Sequence, residues 1–144
     1  MADWILKSEP SAYSYEQLEK DGQTRWDGVR NFQARNNLKL MKVGDHCFIY
    51  HSLGPKEIVG IATVTRTFYR DPTSDDDLWV AVDLKPKQRL KKPVTLTMLK
   101  EHPKLKNIAL VKQSRLSVSP ITHDEAQMIL KLGDILPLLK TRRF

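Results

Sequence analysis

The sequence predicts an α+β domain built on a small, strongly curved sheet or barrel of about five strands. Three observations carry this expectation: short β-rich runs recur along the chain, helix-capping patterns cluster early and late, and neither regular strand-helix alternation nor an internal repeat connects them. With 144 residues and 40% hydrophobic side chains, the chain suffices for one domain that removes roughly two-thirds of its unfolded surface from water. Only 6 Gly and 8 Pro are present, which excludes collagen-like and low-complexity classes.

Trp4-Ile5-Leu6-Lys7 is an apolar run that stops at Ser8-Glu9-Pro10. Proline removes a donor and drives Glu9 out of the helical region, so the run reads as a buried first strand with a polar C-terminal end. Ser14 and Gln17 have capping-box spacing and Gly22 follows, predicting a helix from Tyr15 to Lys20. Arg25 to Arg30 carries no period and reads as a loop, after which Asn31 caps a helix bearing Phe32, Arg35, Leu38 and Met41. His46 to His51 is β-rich, and beyond the Gly54-Pro55 turn signal Ile58 to Arg66 supplies an antiparallel partner. The polar stretch Asp71 to Asp77 separates this pair from a strand at Leu78 to Leu84, and lysines and prolines then mark an extended connection as far as Pro93. A brief helix is expected from Leu96 to Glu101, and Arg115 to Ser119 alternates as a final strand should. Thr122 and Glu125 repeat the capping-box spacing, and Gly133 stops the helix His123 to Leu132.

The chain carries a net charge of +7, and its distribution is uneven. Between Lys85 and Arg115 ten basic residues face one acid, Glu101, so this third holds a surplus of nine. Such a field concentrates polyanions and favours phosphate contacts, although a lysine-rich solvated face accounts for the charge equally well. No run approaches the ~18 apolar residues of a membrane span, and the start lacks the basic and apolar regions of a secretory leader, so a cytoplasmic protein without membrane association is expected. Cys47 is the single cysteine, and His46, His51, His102 and His123 show no ligand spacing, which argues against a metal. A glycine-rich phosphate loop and a G-x-S-x-G elbow are both missing, and no cofactor is expected.

Chemistry concentrates in a few constellations. Lys7-Ser8-Glu9 and Tyr50-His51-Ser52 each close a strand, and if those strands lie parallel and adjacent their polar ends meet at one rim. Trp26-Asp27-Gly28-Val29-Arg30-Asn31 joins an indole to a glycine that lets backbone approach closely, and to polar groups able to read the edge of a planar heterocycle. The plainer alternative is that Trp26 plugs the core while Asp27 and Arg30 stitch the loop. Arg115-Leu116-Ser117 offers an Arg and a hydroxyl for a phosphate or base edge, or simply the water-facing side of a strand. A triad of His51, Ser52 and Asp27 is disfavoured because adjacent strand residues point to opposite faces.

Taken together, Lys7-Ser8-Glu9-Pro10, Trp26 to Asn31 with Gln33-Ala34-Arg35-Asn36, Gly44-Asp45, Tyr50-His51-Ser52, Pro93-Val94-Thr95-Leu96 and Arg115 to Val118 with Pro120 closely resemble the EVE domain family, part of the PUA-like group and related to YTH modules. The resemblance runs from Trp4 to Gly133. It implies a curved PUA-like β-barrel of about five to six strands flanked by helices, occupying residues 1–133, with a C-terminal tail at 134–144. It also implies a reader without chemistry of its own, holding a modified base of DNA or RNA, modified cytosine foremost. Carried over by motif, Lys7 and Ser8 border the pocket, Trp26 forms its aromatic wall, Arg30 and Asn31 line or brace it, and Tyr50, His51 and Ser52 close the opposite side. Lys91, Lys92, Lys112, Arg115 and Ser117 are the expected nucleic-acid backbone contacts. The chain departs from the family at Asp3, at Ser119, and at the short Asp71 to Asp77 stretch where many members carry a long insertion. Two rival readings are an enzyme acting on a nucleobase or nucleotide through His51 or Asp27, and a protein-interaction module using Leu136, Leu138 and Leu139 of the tail.

Overall fold

The computed structural model describes residues 2–135. Its elements follow in the order β1 (Asp3–Ser8), α1 (Tyr15–Asp21), β2 (Thr24–Trp26), α2 (Phe32–Leu40), β3 (His46–His51), β4 (Glu57–Arg70), β5 (Val80–Thr95), α3 (Leu96–Glu101), α4 (Ala109–Lys112), β6 (Val118–Ile121) and α5 (His123–Leu132). All the described helices but α4 begin where side chains replace missing backbone partners. Ser14 accepts from the N–H of Gln17 at 3.0 Å, Asn31 Oδ1 from Ala34 at 2.9 Å, and Thr122 and Glu125 cap each other at 3.1 and 2.8 Å. Each such cap stabilises its helix by about 1 kcal/mol.

The strands form one mixed sheet in the order β2-β5-β4-β3-β1-β6, in which β1 and β3 are parallel and every other pair is antiparallel. Successive residues of β1 and β3 enter different cores. Trp4, Leu6, Cys47 and Ile49 join Leu18, Ala34 and Leu38 on the side of α1 and α2, whereas Ile5, Phe48 and Tyr50 join Leu99, Leu110, Ile129 and Leu130 on the side of α3, α4 and α5. Both strands are thus buried on both faces, which explains why they read as continuous apolar runs rather than alternating ones.

This arrangement corrects the barrel expectation. The sheet is open and not strongly curled, with β2 and β6 as its two edges. A barrel encloses one core behind a single inner face, whereas here a second apolar cluster covers the other face. The edge strands are short, 3 and 4 residues, and β6 carries Pro120, which lacks a ladder donor.

Several element boundaries also differ from the sequence expectation: β4 runs on to Arg70, β5 starts at Val80 and not Leu78, and the short α4 was not expected. Arg25 and Trp26, the first two residues of the expected loop, belong instead to strand β2, held by pairing of Trp26 with Val82 and Arg25 with Asp83. β5 runs through the lysine-proline stretch as far as Thr95, because bulges opposite Ile58 to Gly60 and Ile61 to Ala62 accommodate its irregular residues within the β4 ladder. The last strand starts at Val118, since Leu116 is still tied to a turn through its bond to Gln113. At Gly60 only glycine fits: an added Cβ would lie 2.4 Å from the ring of Tyr15, whose buried hydroxyl donates to the Ile61 carbonyl at 2.8 Å. The tail residues Leu136, Leu138, Leu139, Arg142 and Arg143 lie outside the described residues.

Candidate nucleic-acid interface

The parallel register sets Ser8 beside His51, so the polar ends of β1 and β3 do share one rim. On the α1 and α2 side of this rim opens a cleft of about 430 Å³, lined by Lys7, Ser8, Glu9, Ala12, Tyr13, Arg25, Trp26, Asp27, Gly28, Val29, Arg30 and Ser117. The Trp26 indole is packed into the first core and only 9% exposed. It is nevertheless a wall of the cleft, and Tyr13 meets it edge to face with centroids 6.3 Å apart and planes at 85°. The indole is therefore buried without being sealed off. Edge strand β2 brings it there by pairing with β5.

The loop after Trp26 is shaped by a residue from the far side of the chain. Asp71 is 0% exposed, and its carboxylate accepts from the Gly28 N–H at 2.8 Å, from Arg30 Nη1 at 2.9 Å, and from the N–H and hydroxyl of Thr73 at 2.8 and 2.6 Å. Burial pushes this carboxyl upward, but the combined bonds from Thr73, Gly28 and Arg30 outweigh it and hold the group below the usual carboxylate range. Gly28 turns at φ 78°, a left-handed conformation that glycine adopts without strain and that lets its N–H reach Asp71.

Two polar groups close the opposite wall. The Lys7 ammonium donates to the Ser114 carbonyl while the Lys7 N–H donates to Ser117 at 2.9 Å, which ties β1 to the segment before β6. Partial burial, then the neighbouring Lys56 charge, lowers the Lys7 pKa. Ser8 donates its hydroxyl proton to the Tyr13 carbonyl, so its remaining capacity in the cleft is as an acceptor. Asp27 is held by Arg25 at 2.8 Å.

The remaining residues singled out by sequence are distributed as follows. Asn31 caps α2 and, with Gln33, Lys112, Ser114 and Arg115, lines a second depression of about 330 Å³ next to the cleft. Ser117 lines the cleft itself. Tyr50 belongs to the second core, on the other face of the sheet. His51 accepts from the N–H of Tyr15 through Nε2 at 3.1 Å, and the Ser52 N–H donates to the Ser8 carbonyl at 3.0 Å, so these residues brace the rim from behind and do not line the cleft. Burial, then the Arg89 charge, lowers the His51 pKa, in keeping with a neutral imidazole whose ring nitrogen is already an acceptor. That bond leaves Nε2 with no lone pair for a proton transfer to Ser52. The backbones of Lys91 and Lys92 donate to the Gly133 carbonyl at the end of α5, on the other layer from the cleft.

Sequence reasoning did not single out Tyr13 or give Asp71 a role. Tyr13 stood next to a visible signal, the Ser14 cap. Asp71-Pro72-Thr73 carries the local signature of an Asx turn, but its reach to Gly28 and Arg30 is a tertiary contact without a local sign. Among the described residues no group of three or more His, Cys, Asp or Glu is arranged to hold a metal ion. Burial pushes the Cys47 thiol well above its ordinary value. No described helix is long and apolar enough to cross a membrane.

Comparison with known proteins gives a consistent result. The sequence pattern of the EVE domain matches residues 2–132. Human Thymocyte nuclear protein 1 is 32% identical over 166 residues, spanning 91% of this chain and 73% of the human protein. The NMR structure of a Rhodopseudomonas palustris protein superposes with a TM-score of 0.89 at 45% identity, covering 94% of this chain and 95% of that one. A crystal structure of human THYN1 in complex with 5-methylcytosine-containing DNA superposes with a TM-score of 0.86 at 32% identity, covering 93% and 98% of the two chains. The cytoplasmic assignment expected from the sequence is withdrawn, because the human relative is named a nuclear protein and the features on which that expectation rested do not distinguish nucleus from cytoplasm. With the pattern matched over nearly its whole length, this chain belongs to the EVE domain family.

Proposed function

We propose that this EVE domain is a nucleic-acid reader that holds one modified base, modified cytosine in the first instance, in the cleft walled by Trp26, and that it carries out no chemistry of its own. The observation that carries the reading is the juxtaposition of an aromatic wall, edge-reading polar groups and an adjoining basic depression. The relative solved with 5-methylcytosine-containing DNA supports the choice of base. Trp26 stacks on the ring, while Tyr13, Ala12 and Val29 supply apolar surface for a substituent. Ser8 and Asp27 act as acceptors for an exocyclic amino group, and the Lys7 ammonium donates to acceptors on the base edge. Arg30 and Asn31 brace this wall, Arg30 through Asp71 and Asn31 through the α2 cap. His51 and Ser52 hold the rim that positions Ser8.

Lys112 and Arg115 are the phosphate contacts of this reading, because they line the depression whose Asn31 and Leu116 are chain neighbours of the cleft residues Arg30 and Ser117. Neutralising both, Lys112→Gln with Arg115→Gln, is expected to weaken all oligonucleotides alike and to reduce the slope of log affinity against log salt by roughly 1 to 2. Lys91→Gln with Lys92→Gln, altered on the α5 layer, is expected to change the slope by less. Fluorescence anisotropy at stepped salt concentrations reads both. An unchanged slope in the first variant, or an equal drop in the second, contradicts the assignment.

A further inference from the structure

The second core covers only part of its face of the sheet. From β4 and β5 it takes Ile58, Ile61, Leu90 and Val94, and no described residue of β4 beyond Ile61 or of β5 before Leu90. The registers show what the uncovered part presents. Val82 and Leu84 enter the first core, so Asp83 between them faces the other way, and so does Arg25 beside Trp26. Arg25 on β2 and Arg66 on β4 both pair with Asp83, one from each side, and Lys85, next on the same face of β5, pairs with Thr63. At about 4.8 Å per strand, the three cations form a strip roughly 10 Å across. Arg66 lies over the ring of Tyr69, 3.9 Å from its centroid, and Tyr69 donates its hydroxyl to Asp83. Burial, then that bond and the Asp83 charge, pushes the Tyr69 pKa up to about 12 against the opposing charges of Arg66 and Arg25, so the phenol stays a donor. Asp83 is thereby engaged, whereas Arg66 and Lys85 are exposed and form no ion pair among the described residues.

This strip begins at the cleft, since Arg25 and its partner Asp27, 2.8 Å away, are both cleft residues. It also lies on the other flank from the basic depression. Lys112 and Arg115 precede β6, one edge of the sheet, whereas the strip starts on β2, the other edge. We propose that the strip is a second phosphate track, which takes the nucleic-acid strand on the side of the held base opposite to Lys112 and Arg115. The proposal rests on the reading of the cleft given above and extends it from one flank to both. A guanidinium lying flat on an aromatic ring keeps its N–H edge for phosphate oxygens, and Lys85 adds a point charge beside it. Cations gathered round one engaged acid, continuous with a cleft that takes a base, suit a polyanion whose backbone runs on from that base. Such contacts position the strand without reading its sequence, so the track adds affinity and leaves selection to the cleft.

The test uses the full chain and short single-stranded DNA carrying one 5-methylcytosine at its centre, at its 5′ end or at its 3′ end, together with the same strands bearing plain cytosine. Arg66→Gln with Lys85→Gln is expected to lower the slope of log affinity against log salt by about 1 to 1.5 on the central strand and on one terminal strand, and to leave it unchanged on the other. Lys112→Gln with Arg115→Gln is expected to act on the opposite terminal strand. Arg66→Lys with Lys85→Arg keeps both charges and is expected to retain the wild-type slope, and both Arg66-Lys85 variants are expected to keep the preference for 5-methylcytosine. Because the two residues are exposed, both variants should fold, as circular dichroism will report. If wild type prefers 5-methylcytosine, the track is refuted and the cleft reading stands when the glutamine variant leaves the central slope unchanged, when it acts equally on both terminal strands, or when both glutamine pairs act on the same one. If wild type shows no such preference, the cleft reading fails and the central strand decides the track: a fall in slope that the charge-preserving variant restores upholds it, and any other result refutes it. Failure of wild type to bind any of the strands refutes both.

Discussion

An Asp71→Ala protein is expected to be about 2–4 kcal/mol less stable than the wild type at neutral pH and to lose preference for a modified base. The magnitude follows from what the substitution strands: the Gly28 N–H and the partly exposed Arg30 guanidinium lose an acceptor that is itself wholly buried, and the Thr73 turn loses its centre. Binding suffers because Gly28 and Arg30 are walls of the cleft. The effect should depend on pH in a defined direction. The folded-state pKa of Asp71 is depressed, so its contribution is fully present above the ordinary carboxyl value near 3.9 and declines as pH falls toward the folded value. Urea denaturation of both proteins should therefore show a gap that is constant near neutrality and narrows below about pH 4. A gap under about 0.5 kcal/mol at pH 7, the range of an ordinary surface substitution, contradicts the role assigned to Asp71.

Replacing the Trp26 indole is expected to have the largest effect on selectivity. Because the ring belongs to the core as well as the cleft, Trp26→Ala should also cost about 3 kcal/mol of stability, so alanine alone cannot separate the two roles. Trp26→Phe and Trp26→Leu separate them. Both leave a large apolar side chain beneath Tyr13 and Val29, but only phenylalanine keeps a face on which a base can stack. The expected outcome is that Trp26→Phe retains most of the preference for 5-methylcytosine over cytosine, while Trp26→Leu loses at least about tenfold of it, within the range for one base stacked on an aromatic side chain. Equal preference in the leucine variant and the wild type, measured by competition anisotropy, removes the indole from recognition.

The local architecture was readable because it depends on neighbours in sequence. The caps at Ser14, Asn31 and Thr122 each satisfy a backbone N–H three residues on, and α3 and α5 begin and end where their residues indicate. Sheet closure was not readable, since it turns on whether edge strands three and four residues long find partners. The apolar runs at Trp4 and Cys47 did hold a clue: strands without alternation signal cover on both faces, which an open sheet between helices provides. The cleft divides along the same line. Lys7, Ser8, Trp26 and Arg30 form contiguous motifs, whereas the anchoring of their loop by Asp71 spans 43 residues and emerges only once β4 and β5 have folded back on each other. Tyr50, His51 and Ser52 were drawn toward the pocket by their motif, but the alternation of the strand sends Tyr50 into the other core.

The central claim is that affinity and selectivity reside in different parts of one surface: phosphate capture at the basic depression, and choice of base beside Trp26. It is tested most directly by titrating the full chain with two single-stranded oligonucleotides identical except for the 5-methyl group of one cytosine, at low and at near-physiological salt. The account predicts that both affinities fall steeply with salt while their ratio, in favour of the methylated strand, stays nearly constant. A ratio of one at both salt concentrations contradicts it.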